Sequence, residues 1–217
     1  MEEDSAPEKI SDVAYGIFEI ILNKELKQRG RYLFERVNSN DNFLEEFKEI
    51  FQNFSTEYQM LSDALIEEFK CAEEIYNKIC EGEGVIPSKT TLMYWIVQDA
   101  PDFTMNPGDE DKGGKWLIFL EKAEVDAMWE KIRDATVQNR LGPSSKVSTA
   151  KENPESRDER TVIYVYTRDW EDKDNVMKIR ETLKELGVEH RIGYKRNIET
   201  FQGEYSQGGR KVTYYSV

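Results

Sequence analysis

Histidine and cysteine are nearly missing from this chain, with one His and two Cys in 217 residues. That excludes a structural zinc site of the usual Cys/His kind, which needs four such ligands. It also excludes a disulfide framework, and Cys71 and Cys80 fall together in one helical-looking stretch. No apolar run approaches the roughly 18 residues of a membrane span. The first ten residues, MEEDSAPEKI, are acidic and lack the apolar core of a signal peptide. Tandem repeats and low-complexity tracts are absent. Glu81-Gly82-Glu83-Gly84 lacks the Lys-Ser/Thr of a phosphate loop, and Asp109-Glu110-Asp111 lacks EF-hand spacing. Gly113-Gly114 follows acids and precedes a strand, so it reads as a tight turn. A soluble, cytoplasmic protein is expected, without membrane, metal or cofactor.

Aromatic residues are plentiful. Four Trp, eleven Tyr and ten Phe supply enough apolar area for a core, so disorder throughout is excluded. The net charge of -13 argues against a general polyanion binder, because an acidic surface repels phosphate backbones. The charge is uneven, however. Residues 1–85 carry 20 acidic and 9 basic side chains, residues 86–142 carry 10 and 7, and residues 143–217 carry 13 and 14. A local basic site in the last third is compatible with the total.

The pattern divides at Glu81-Gly82-Glu83-Gly84, giving a helical region over 1–85 and a mixed domain over 86–217. From Ile10, apolar residues recur at helical spacing on more than half the circumference, so this helix is buried or meets a partner. It ends at Arg29-Gly30-Arg31, and Tyr32 to Val37 reads as a short strand or a helical turn. Phe43, Phe47, Ile50, Phe51 and Phe54 form a second helical face, and Tyr58 to Ile79 continues as one stripe. Strands are predicted at Leu92–Val97, Lys115–Leu120, Ser145–Lys151, Thr161–Thr167, Glu189–Lys195 and Lys211–Val217. Amphipathic helices are predicted around Val125–Ala135 and Val176–Leu186. The second has Asp169 or Asp172 as N-cap and Gly187 just past its end. Thr161–Thr167 is apolar on both faces and reads as central.

Tyr164 and Tyr166 share one sheet face by alternation. Lys146, Lys151, Arg157, Arg160, Lys195, Arg196, Arg210 and Lys211 flank the same strands and loops. Aromatic faces with Lys and Arg nearby are what a nucleotide or RNA end needs, stacking for the base and charge for the phosphate. Ordinary strand aromatics with a solvated basic rim give the same pattern. His190 alternates with Ile192 and Tyr194, which reads as a core or edge histidine.

At Gly113-Gly114-Lys115-Trp116-Leu117-Ile118 the chain resembles the mRNA cap-binding translation initiation factor fold. Asp126 and Trp129 keep that family's helical spacing, and the similarity runs through Val162–Thr167 and Ile192-Gly193-Tyr194, covering about residues 92–217. A closer resemblance is to a branch with the same fold, the basophilic-leukemia-expressed (Bles) family. Its pattern is similar to Gly114–Leu117, Ala127-Met128-Trp129, Ser145–Ser148, Val165–Trp170, Tyr194-Lys195 and Gly203-Glu204-Tyr205. Residues 1–85 find no counterpart and read as an added helical module. The resemblance implies an α+β fold, a curved antiparallel sheet with helices on its convex face, beside an N-terminal helical region. Two amphipathic helices that each need a sheet to cover agree with that. Trp116 and Trp129 are then core residues.

The departures argue against cap binding. Met105 and Asn106 align where a stacking tryptophan and the guanine-reading carboxylate fall, Val162 where a phosphate lysine falls, and Tyr166 where another tryptophan falls. Three readings follow. The first is a binding module for a nucleotide, RNA end or phosphorylated ligand, using Lys146, Lys151, Arg157, Arg160, Tyr164, Tyr166 and Lys195. The second, from a likeness of the family to phosphothreonine lyases, is an enzyme with Lys146 as base and His190 as acid. The third is a protein-interaction scaffold through residues 10–80.

Overall fold

The structure is a computed structural model that describes residues 9–104, 109–153, 160–198 and 213–217. These fall into two compact units: 9–94 with 149–153, and 95–148 with 160–198 and 213–217.

The first unit is helical. It contains α1 (Ile10–Gln28), α2 (Leu33–Asn38), α3 (Leu44–Glu57), α4 (Gln59–Phe69) and α5 (Ala72–Glu81). On α1, Ala14, Tyr15, Phe18, Leu22 and Leu26 are fully buried, while Ile10 and Ile20 stay exposed. The Phe18 ring meets Phe47, Phe51 and Phe54 of α3 at centroid distances of 5.5, 5.2 and 5.1 Å. This is the geometry in which aromatic rings attract one another edge-on or tilted. Tyr32–Val37 resolves to helix: the Tyr32 N–H donates to the Glu35 carboxylate at 2.8 Å, which seats the first turn of α2. The stripe expected to run from Tyr58 to Ile79 is two helices. Lys70 takes φ 74° and closes α4, Cys71 is extended, and α5 restarts with its apolar side on the same core.

The second unit is a curved six-stranded antiparallel sheet with helices on its convex face. Its elements are β1 (Trp95–Asp99), α6 (Asp109–Lys112), β2 (Gly114–Leu120), α7 (Val125–Val137), β3 (Ser144–Ser148), β4 (Thr161–Thr167), α8 (Lys173–Glu185), β5 (Gly193–Arg196) and β6 (Tyr215–Ser216). The strand order is β1-β3-β4-β2-β5-β6, so β4 and β2 form the centre. Alternation sends Ile163, Val165, Trp116, Ile118, Val147 and Tyr194 to the buried face. The helices cover that face. Trp116 Nε1 donates to the Val176 carbonyl of α8 at 3.2 Å, and the Thr136 hydroxyl of α7 meets the Ser145 hydroxyl at 2.9 Å. Trp129 is also buried. Asp172 is the N-cap of α8 and accepts from the Asn175 N–H at 3.0 Å. Asp172→Ala is expected to cost about 1 kcal/mol of sheet-unit stability, measured by urea denaturation.

Strand ends differ from the sequence reading where side chains claim backbone groups. The Glu83 carboxylate accepts from the N–H groups of Thr91 and Leu92 at 3.0 Å, which removes them from a ladder, and β1 starts three residues later at Trp95. Glu189 and His190 are not in β5, because Arg180 takes the carbonyls of Val188 and His190. Ser145–Lys151 shortens to Ser148, past which the Thr149 hydroxyl donates to the Met93 carbonyl and accepts from the Lys151 N–H at 3.2 Å. Of the strand predicted over 211–217, Lys211 lies outside the described residues.

Candidate functional site

The concave face is set by the parity of each strand. Trp116 points to the helices, so Lys115 and Leu117 point the other way. The same alternation puts Tyr164 and Tyr166 of β4, Lys146 of β3, Trp95 of β1 and Lys195 of β5 on this face. Register completes the arrangement. Lys115 lies opposite Tyr166 on one side and Lys195 on the other, and Lys146 lies opposite Tyr164. Gly114 is required beside Lys115: a Cβ there would fall 2.0 Å from the hydroxyl of Tyr194, which is held at 2.6 Å by Thr167.

The side chains interleave. Lys146 Nζ stands 4.1 Å from the Trp95 ring centroid and 5.2 Å from that of Tyr164. Lys115 Nζ stands 5.3 Å from Tyr164 and 5.8 Å from Tyr166. Trp95 and Tyr164 lie 5.2 Å apart at 30°, and Tyr164 and Tyr166 meet edge-on at 6.5 Å. Ring faces attract ammonium groups, which holds the amines over the sheet. Burial works against their charge. Lys115 is 8% exposed, and burial, with Lys146 and Lys195 nearby, lowers its amine from 10.5 to about 8. Burial also lowers the Lys146 amine. Burial, with Tyr164 beside it, raises the Tyr166 phenol and keeps it protonated.

The residues singled out in the sequence separate into groups. Lys146, Tyr164, Tyr166 and Lys195 come together on the concave face. Arg160 packs on Phe119 at 5.1 Å, near the start of β4 and about 20 Å along the strand from Tyr166. Lys151 belongs to the helical unit, where its amine lies 2.9 Å from Asp12, donates to the Leu92 carbonyl and sits over Tyr94. Arg157 lies outside the described residues, as do Met105, Asn106 and Arg210. Arg196 faces away from Lys195 and packs on the rings of Trp170 and Tyr214, 4.8 and 4.5 Å from their centroids. His190 is exposed before β5, neither core nor strand edge. Three strand spacings, about 14 Å, separate β3, which carries Lys146, from β5. The structure does not bring the base and acid of the lyase reading together.

Two members of the cluster, Lys115 and Trp95, are absent from the sequence-derived site. Lys115 had a legible signal: a lysine immediately before a core tryptophan in a strand must face away from the core. That it would sit between Tyr166 and Lys195 is a matter of register alone.

Solved structures similar to this chain include Ascaris suum eIF4E-3 with the m2,2,7G cap, 17% identical, with a TM-score of 0.41 over 57% of this chain and 68% of that one. A schistosome eIF4E with m7GpppA and 4E-BP is 14% identical, with a TM-score of 0.44 over 58% and 72%. C. elegans eIF4E-3 with the 4E-binding protein Mextli and a cap analog is 15% identical, with a TM-score of 0.43 over 57% and 68%. The family model for basophilic leukemia-expressed protein Bles03 matches residues 16–201. That match takes in most of α1 and all of α2 to α5, so these helices are part of the family's architecture, where the resemblance alone had left them without a counterpart. With the match running from the first helix through β5, the chain belongs to the Bles03 family.

Proposed function

We propose that the concave face of the sheet binds a small phosphorylated ligand with a flat group, such as a nucleotide or an RNA end. The observation that carries this is the convergence of Lys115, Lys146 and Lys195 with Trp95, Tyr164 and Tyr166 on one sheet face. Ammonium groups on β2, β3 and β5 repel one another across one partly dry face, and a bound phosphate offsets that repulsion. The rings supply stacking surface beside the charge. A methylated cap of the kind bound by the eIF4E structures is not the ligand in this reading, because Met105, Asn106 and Val162 replace the groups that would read it. A small ligand also suits a chain with a net charge of -13, where a long polyanion does not.

Trp95 is itself in the cluster, so the test is a fluorescence titration with nucleotides, short 5′-phosphorylated RNA and phosphorylated small molecules. Binding with quenching is expected at low salt. Lys146→Ala and Tyr164→Ala are each expected to weaken it about tenfold. No binding by any member of the panel at low salt would overturn the reading.

A further inference from the structure

Lys115 differs from an ordinary surface lysine in its position. Its strand is interior, with β4 on one side and β5 on the other, and the residue is 8% exposed. Its amine lies over the Tyr164 and Tyr166 rings, and lysines from β3 and β5 flank it. A desolvated amine among other cations gives up its proton readily, and the neutral amine is a nucleophile. The ring faces favour the ammonium form, but burial and like charge outweigh them, which leaves the amine near 8. At pH 7.4 such an amine is neutral on the order of a hundred times more often than a solvated lysine.

We propose that Lys115 is a reactive amine that captures the carbonyl carbon of a phosphorylated aldehyde or ketone as an imine. This rests on the phosphate-site reading for the ligand's anionic group, and narrows the ligand class to phosphorylated compounds that carry a carbonyl. The Lys115 nitrogen forms a bond to the carbonyl carbon with its lone pair, and the C=O π pair moves to oxygen. One amine proton passes to that oxygen. A second proton, from a flanking ammonium group, lets the oxygen leave as water. The nitrogen keeps its other proton, and the C=N bond carries the positive charge that the flanking group gave up.

The test uses the full chain with pyridoxal 5′-phosphate as probe, borohydride reduction to trap the imine, and peptide mapping. Lys115 is expected to be labelled at least about tenfold faster than the other lysines, with a rate rising through a midpoint near pH 8. Inorganic phosphate should slow that labelling, and pyridoxal, which lacks the phosphate, should label Lys115 about tenfold more slowly. Lys115→Arg keeps the charge, and should keep the far-UV circular dichroism while losing the fast adduct. Labelling of Lys115 no faster than the rest overturns the inference, and the fluorescence titration then stands or falls separately. Equal labelling by both probes, with no effect of phosphate, leaves the reactive amine in place and overturns the phosphate part.

Discussion

Glu19→Gln is expected to stabilise the helical unit, by an amount that grows by about 3 kcal/mol between pH 5.5 and pH 8.5. Glu19 is 4% exposed on α1 and accepts a hydrogen bond from Asn23. Burial raises its carboxyl from 4.5 to about 8, and the Asn23 bond works weakly the other way. Tyr15, one turn earlier, donates to the Glu83 carbonyl, and the Glu83 carboxylate is already held by Thr91 and Leu92. Neither neighbour supplies a cation. The folded pKa lies above the unfolded one, so the stabilisation is complete below about 4.5. It is lost as the pH rises through about 8, where the unfolded chain ionises before the folded one. Glutamine accepts the same Asn23 bond and never ionises. All four tryptophans, Trp95, Trp116, Trp129 and Trp170, lie in the sheet unit, so helical-unit unfolding is followed by far-UV circular dichroism and tyrosine emission. A Gln advantage that does not change with pH would sink the assignment.

Arg180→Met is expected to cost the sheet unit about 3 kcal/mol. Arg180 is 1% exposed on α8 and donates to three carbonyls: Val188 at 2.8 Å, His190 at 2.9 Å and Val217 at 3.3 Å. Methionine fills much of the volume but leaves the Val188 and His190 carbonyls without the donor they face, at about 1–3 kcal/mol for each unsatisfied group, while the Val217 carbonyl keeps the Ile192 N–H. Lysine recovers less than half of the loss, since a single ammonium cannot reproduce the planar fork. The Val188 and His190 carbonyls lie on the approach to β5 and Val217 directly follows β6, so the substitution also loosens the strand that carries Lys195. Urea denaturation followed by tryptophan fluorescence gives the loss, and a shift below about 1 kcal/mol would contradict it.

Much of the architecture is legible in local pattern. Helical periodicity marks α1, α3, α7 and α8, because burial on one face imposes a period on the residues that form it, and short apolar runs rich in β-branched and aromatic residues mark β2 and β4. Gly187 is readable as the end of α8 and its start as Asp169 or Asp172, because capping is decided within a few residues; the structure takes Asp172. The break at Lys70 is not readable, since the apolar stripe resumes in phase after Cys71 and nothing in the composition forces a left-handed lysine. The strand ends at Trp95 and Gly193 are not readable either. Glu83 and Arg180 decide them from outside the strands.

Local pattern was enough for the mixed α+β class, for Trp116 and Trp129 as core residues and for the basic, aromatic character of the last third, though Ile10 and Ile20 of the α1 stripe and His190 turn out exposed. Parity even placed Tyr164 and Tyr166 on a common face. Which basic residues join them is a matter of strand pairing. Strand order and register bring Lys115 and Lys195 to Tyr166 and Lys146 to Tyr164, while Lys151 goes to Asp12 and His190 to an exposed bend. The physical reason is that local pattern fixes direction out of a sheet, whereas proximity across it depends on pairing between strands far apart in the chain.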